Sequence, residues 1–265
     1  MMAAWDNIED IAWAGLPIPI RRYEGAIATK APPIVLYLRG SAFQDDGRPQ
    51  MERPIGRVLS EAGAVVVEAD YGSASSNLFP QAMECAFMAL KSLSGRRKQF
   101  GSARSPLFIA GDEAGGNVAA GAALKARDQL PGELSGQILL SPMIDPMMAT
   151  QSFRRADEIG MREKWSDGWS RYLRSACGFQ HPYAAPCLCS RLFGVAPALV
   201  VTSDDDPLHD EVVGYAERLA ASGVSVRQKV FPESCGWTGI YKGDSGKWMA
   251  SLRAEFSGFV EGLQA

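Results

Sequence analysis

Short, nearly continuous apolar runs recur along the chain, separated by longer amphipathic stretches. Ile34–Leu38 (IVLYL), Ala64–Val67 (AVVV), Leu107–Ala110, Gln137–Leu140, Ala198–Thr202 and Val224–Val230 read as strands. Runs without alternation are what a parallel sheet covered on both faces requires. Between them, helices are predicted over Met51–Ala62, Pro80–Leu93, Ala114–Arg127 and Asp210–Ser222, with a last one from about Lys247 to Gly262. Pro80 suits a first helical turn, and Gly223 suits the left-handed stop after a helix. Strand alternating with helix gives right-handed crossovers and an α/β fold with a mostly parallel, doubly wound sheet. Two regions break the rhythm. Residues 1–30 hold an extended piece, Ile18–Tyr23. Residues 147–197 form a long irregular insert carrying Trp165, Trp169, Tyr172 and Tyr183.

Length and composition narrow the class without naming a chemistry. The chain has 265 residues, and that length fits one α/β domain. Five cysteines are too few, and odd in number, for a disulfide scaffold. The balance of 27 basic against 30 acidic residues, net −3, gives no footprint for nucleic acid. The single basic run, Arg96-Arg97-Lys98, reads as a solvated helix end. Met1 to Trp13 has acidic Asp6, Glu9 and Asp10 and no early Lys or Arg, unlike a secretory signal. No apolar stretch reaches the ~18–20 residues of a membrane helix. A soluble, cytoplasmic protein with reduced thiols and no membrane partner is expected. Cys187-x-Cys189 lacks the second ligand pair of a zinc site, and Asp204-Asp205-Asp206 lacks calcium-loop spacing, so no metal and no cofactor is expected.

In α/β sheets, ligands bind beyond the carboxyl ends of the strands. The residues there carry the candidate chemistry. After Leu107–Ala110 comes Gly111-Asp112-Glu113-Ala114-Gly115-Gly116-Asn117, small residues flanking one side chain, as on a strained strand-to-helix elbow. After Ile34–Leu38 comes Arg39-Gly40-Ser41-Ala42-Phe43, a loop able to present backbone N–H groups. The two later strands lead into Asp204-Asp205-Asp206-Pro207-Leu208 and Ser234-Cys235-Gly236-Trp237.

With these segments in view, the chain resembles the α/β-hydrolase superfamily, in its hormone-sensitive-lipase-like esterase branch. The resemblance runs from about Ile18 to the C-terminus. Asp70-Tyr71, Phe79-Pro80, Leu140-Ser141-Pro142, Pro182-Tyr183-Ala184-Ala185-Pro186, Pro197-Ala198-Leu199-Val200 and Tyr215-Ala216 carry it further. It implies an α/β-hydrolase fold with a shortened N-terminal cap, a cap-like insert at 147–197 and a more open pocket. A homodimer through an edge strand or the C-terminal helix is common among similar proteins.

The catalytic pattern of that family carries over only in part. Its elbow reads Gly-Asp-Ser-Ala-Gly-Gly; here Glu113 stands in the place of the serine. Asp206 matches its acid. Cys235, before Gly236 and Trp237, matches its histidine with a one-residue gap. Its His-Gly-Gly-Gly oxyanion loop is matched by Arg39-Gly40-Ser41-Ala42. The resemblance thus implies Glu113, Asp206 and Cys235 as the catalytic positions. Arg39, Gly40, Ser41, Ala42, Ala114 and Trp237 are the oxyanion-loop or ligand-binding ones. His181 and His209 are the only histidines, and both read as packing or surface residues. Serine needs an adjacent base, so acyl-serine hydrolysis is not expected.

A helix N-terminus and Arg39 would favour an ionised Glu113, while a dry pocket would push the other way. An Arg39–Glu113 salt bridge plugging the site is the expected pairing, with Cys235 a packing thiol. Two functions stay open. One is non-serine chemistry of lyase, isomerase or cyclase type on a small carbonyl compound, with Glu113 as base or anchor. The other is a pseudoenzyme that binds a small, partly apolar ligand or acts as a scaffold.

Overall fold

The computed structural model describes residues 6–13, 15–23, 29–44, 53–72, 76, 78–174 and 180–263. Eight strands form one sheet: β1 (Asp6–Trp13), β2 (Leu16–Tyr23), β3 (Ile34–Leu38), β4 (Val65–Ala69), β5 (Leu107–Asp112), β6 (Gly136–Leu140), β7 (Ala198–Ser203) and β8 (Val226–Phe231). Their order is β1-β2-β4-β3-β5-β6-β7-β8. From β4 to β8 every pairing is parallel; β1 and β2 join antiparallel at one edge. Every residue of β3, β4, β5, β6 and β7 is buried. That is why these strands stood out as unbroken apolar runs. Of the stretch read as a reduced cap, residues 6–13 and 16–23 are these two edge strands. Residues 1–5, 14 and 24–28 lie outside the described residues.

Most of the helices fall where the sequence pattern places them. They are α1 (Pro54–Glu61), α2 (Gln81–Gly95), α3 (Arg97–Phe100), α4 (Glu113–Gln129), α5 (Arg162–Tyr172), α6 (His209–Ala221) and α7 (Trp248–Gly262). Residues 51–52 of the first predicted helix lie outside the described residues. Pro54 opens α1, where its missing N–H is harmless. Gly223, at φ +81°, follows the end of α6.

Two apolar clusters lie on opposite faces of the sheet. Ile34, Leu36 and Leu38 pack with α2, α4, α6 and the 147–197 segment. Val35 and Tyr37 pack with α1 and α7. The same period of two sets which residues of the loop after β3 reach the elbow.

The chain order reverses at β3, with β4 on one side and β5 on the other, which makes a crevice beyond their carboxyl ends. The Arg39–Gln44 loop and Glu113 both sit there. Helix α5, lying within the 147–197 segment expected to be irregular, covers it. Gly168 makes that fit possible: a Cβ there would lie 1.9 Å from the Ala42 carbonyl oxygen. The insert is further tied down by Asn117 of α4. Its Nδ2 donates to the carbonyls of Met143 at 2.8 Å and Ala184 at 2.9 Å.

Candidate functional site

Strand β5 turns directly into α4 at Glu113, whose φ is +52°. A non-glycine residue in that region costs about 1–2 kcal/mol and persists only where its surroundings fix it. Here they do. The Glu113 carbonyl accepts the Met143 N–H at 2.9 Å. Its side chain, 3% exposed, is held at both oxygens. Oε2 accepts the main-chain N–H of Ala42 at 2.9 Å, and Oε1 accepts the indole N–H of Trp165 at 2.5 Å. Ala42 lies in the loop after β3, and Trp165 lies on α5.

That loop is shaped for the purpose. Ala42 and Phe43 both have φ +52°. The Gly40 N–H donates to Asp112 Oδ1 at 3.1 Å, and the Ser41 carbonyl accepts the Gln44 N–H at 2.9 Å. Phe43 stacks on Tyr172 with ring centroids 4.0 Å apart and tilts against Trp169 at 5.0 Å. Trp165 is flanked by Phe153 at 5.8 Å and by Tyr241, edge-on, at 5.2 Å. Ala114, buried in the first turn of α4, follows Glu113 directly.

The expected Arg39–Glu113 bridge is not formed. Arg39 Nε lies 3.4 Å from Glu68 Oε1 instead. Glu68 also accepts the Tyr23 hydroxyl at 2.6 Å and lies 3.8 Å from Arg21 Nη1. The reason is strand periodicity. Arg39 continues the Val35–Tyr37 side of β3, toward α1 and α7, whereas the Glu113 side chain faces the α5 side. On the Tyr37 side, the Tyr37 hydroxyl donates to Asp112 Oδ1 at 2.7 Å.

Of the opposing influences on the Glu113 carboxyl, burial is the largest. Burial pushes its carboxyl above the usual range, and Asp112 pushes the same way. The hydrogen bonds from Trp165 and Ala42, and the charge of Lys164, oppose this only in part.

Asp206 is fully buried beyond β7 and has four donors. Oδ1 accepts the Tyr241 hydroxyl at 2.7 Å and the Leu208 N–H at 2.9 Å. Oδ2 accepts Thr202 Oγ1 at 3.2 Å and the Ser141 hydroxyl. Burial raises its carboxyl too, against those bonds. The side chain meeting Asp206 is thus Tyr241, which sequence reasoning missed, rather than Cys235. Cys235 is buried in the cluster on the α7 side. Burial, with Asp205 and Asp204 nearby, pushes its thiol up and away from the reactive thiolate.

Trp237, expected at the ligand, is placed elsewhere. It packs on Phe231 at 5.3 Å and Trp248 at 5.5 Å, and its indole N–H donates to Ser141 Oγ at 2.7 Å. His181 packs against Phe79 and Tyr183, and His209 Nδ1 lies 3.0 Å from Asp210 Oδ1. Of the three consecutive aspartates, Asp206 points inward while Asp205 accepts from Ser203 at 2.6 Å. Among the described residues, no three His, Cys, Asp or Glu side chains are grouped to hold a metal ion. No helix among them is long and apolar enough to cross a membrane.

The raised Glu113 carboxyl predicts a pH dependence. The folded state holds this proton more tightly than the unfolded one. The associated stability is complete below the unfolded value of about 4.3 and shrinks as pH rises through the higher folded value. Urea midpoints of wild type minus Glu113→Gln, taken from about pH 4 to pH 8, should therefore fall with rising pH. A difference that grows with pH would show a carboxyl held below its ordinary range.

Comparison with known proteins matches this geometry. A model of the alpha/beta hydrolase fold family covers residues 35–236. Esterase LipI of Mycobacterium tuberculosis is 30% identical over 198 residues, which are 73% of this chain and 62% of LipI. The chain thus spans less than two thirds of that relative. The arylesterase of Saccharolobus solfataricus is 29% identical, over 78% of this chain and 68% of its own length. Gibberellin receptor GID1C of Arabidopsis thaliana is 27% identical, over 81% and 65%. The solved hyperthermophilic esterase from the archaeon Pyrobaculum calidifontis superposes with a TM-score of 0.80 at 25% identity, over 100% of this chain and 87% of that one. The elbow, the switch-point crevice and these similarities agree: the chain belongs to the α/β-hydrolase family, in its hormone-sensitive-lipase-like esterase branch.

Proposed function

We propose that this chain is a hydrolase-fold protein without acyl-serine chemistry, acting as a binding protein for a small, partly apolar molecule. One observation carries the reading: both oxygens of the elbow carboxyl are taken, by Ala42 N–H and Trp165 Nε1–H. A general base must reach a substrate proton within ~2.6–3.2 Å. Glu113 instead clamps the loop after β3 to α5. The Asp206 side adds support, because the Tyr241 hydroxyl occupies the carboxyl that a relay histidine would need. That one relative is named a receptor fits this reading. Free Cys85, Cys187, Cys189 and Cys235 fit a cytoplasmic setting.

Glu113-dependent chemistry of lyase, isomerase or cyclase type is the second reading. Its support is the Glu113 carboxyl, raised by burial, since a carboxyl shifted up by desolvation at an elbow suits proton transfer. Relatives named esterases argue for ester hydrolysis. Ester hydrolysis is tested by turnover of p-nitrophenyl acetate and butyrate by wild type and Glu113→Ala, side by side. The expected result is background turnover by both. Turnover lost in Glu113→Ala would make the carboxyl catalytic and overturn the binding reading. Turnover equal in both would place an esterase elsewhere in the chain.

A further inference from the structure

We propose that Ala42 N–H and Trp165 Nε1–H form a carboxylate receptor, filled in this chain by its own Glu113, whose ligand class once vacated is a short monocarboxylate. The inference rests on the reading of Glu113 as a clamp rather than a base. The two donors come from segments 123 residues apart and converge on the two oxygens of one carboxyl group, at 2.9 and 2.5 Å.

Both donors are fixed by packing other than with Glu113. The loop is held by the Gly40–Asp112 bond and by Gly168 pressed on the Ala42 carbonyl. The indole is wedged between Phe153 and Tyr241. Deleting the Glu113 side chain would leave two buried donors aimed at one point, and a buried donor without an acceptor is costly.

The chemistry of the pair selects its ligand. Two donors, one per oxygen, suit a planar carboxylate. An amide would set its own N–H groups against one of them. Of the neighbouring charges, Lys164 favours the anion and Asp112 opposes it. Size follows from the deleted atoms: the glutamate side chain beyond Cα has the carbon skeleton of propionate. Glycine is the replacement to use, because φ +52° suits it without strain.

The test follows the melting temperature of Glu113→Gly in sodium propionate, sodium acetate, propionamide and sodium chloride at equal ionic strength. Propionate should raise it by about 3 °C or more at saturation, and acetate by less. Propionamide and chloride should do nothing. Wild type, its receptor already filled, should respond to none of them. Adding Trp165→Phe, which keeps a ring and removes the N–H, should abolish the propionate effect.

A folded Glu113→Gly that propionate stabilises no more than chloride overturns the proposal. If Glu113→Gly does not fold unaided, its refolding yield in propionate against chloride decides: a higher yield supports the receptor, and equal failure overturns it. Ester turnover by the same proteins keeps the two readings apart. Inert propionate with no turnover sinks the receptor alone. Wild-type turnover lost in Glu113→Gly sinks the clamp reading from which the receptor follows.

Discussion

Asp206→Ala is expected to lower the unfolding free energy by about 3–5 kcal/mol, because each buried donor left without an acceptor costs about 1–3 kcal/mol. Asp206 collects donors from four places: Ser141 after β6, Thr202 in β7, Leu208 before α6, and Tyr241 in the loop after β8. Alanine would leave them facing a small polar void. Some of the loss is recovered where hydroxyls turn to each other. Leu208 N–H cannot turn, and Ser141 is already the acceptor for Trp237. Urea melts of wild type and Asp206→Ala measure the effect. A loss under about 1 kcal/mol would mean that the network re-pairs freely and that Asp206 does not hold these segments together. Asp206→Asn should fall between the two, since its amide keeps one acceptor oxygen.

Trp165→Ala is the second large expected effect, again about 3–5 kcal/mol, the range for deleting a fully buried tryptophan from a core. The side chain is 0% exposed and touches Phe153 and Tyr241. Its removal also strips one hydrogen bond from the buried Glu113 carboxyl. For a chain of this size the melting temperature should drop by about 6–10 °C. Trp165→Phe separates the two contributions: it keeps most of the packing and loses only the N–H. If the alanine and phenylalanine variants melt together, hydrogen bonding to Glu113 outweighs packing. The opposite order, with phenylalanine near wild type, makes the clamp mainly apolar.

Much of the fold was legible because five central strands are buried on both faces and so read as bare apolar runs. Strand β1 was not, because Asp6–Trp13 carries three acids and no alternation. Helix α5 was passed over because its sequence, REKWSDGWSRY, is polar overall. Yet Trp165, Trp169 and Tyr172 stand at i, i+4 and i+7, which is the spacing of one helical face.

At the site, the glycines around Glu113 announced the elbow. The partner of Glu113 could not be read the same way. Charge suggested Arg39, but Arg39 sits on the wrong side of β3, and pairing followed strand geometry rather than charge. Tyr241 escaped for a different reason: it arrives through short 3₁₀ turns, Glu233–Cys235 and Trp237–Lys242, that leave no periodic trace.

The side chain at the elbow also decides how this chain would register in a chemical survey of a cell extract. Organophosphonate reagents find their targets by capture on a reactive serine hydroxyl, and residue 113 offers a carboxyl instead. Carbodiimides, which do attack carboxyls, meet a group only 3% exposed. A census of hydrolases taken with either reagent would pass over this elbow.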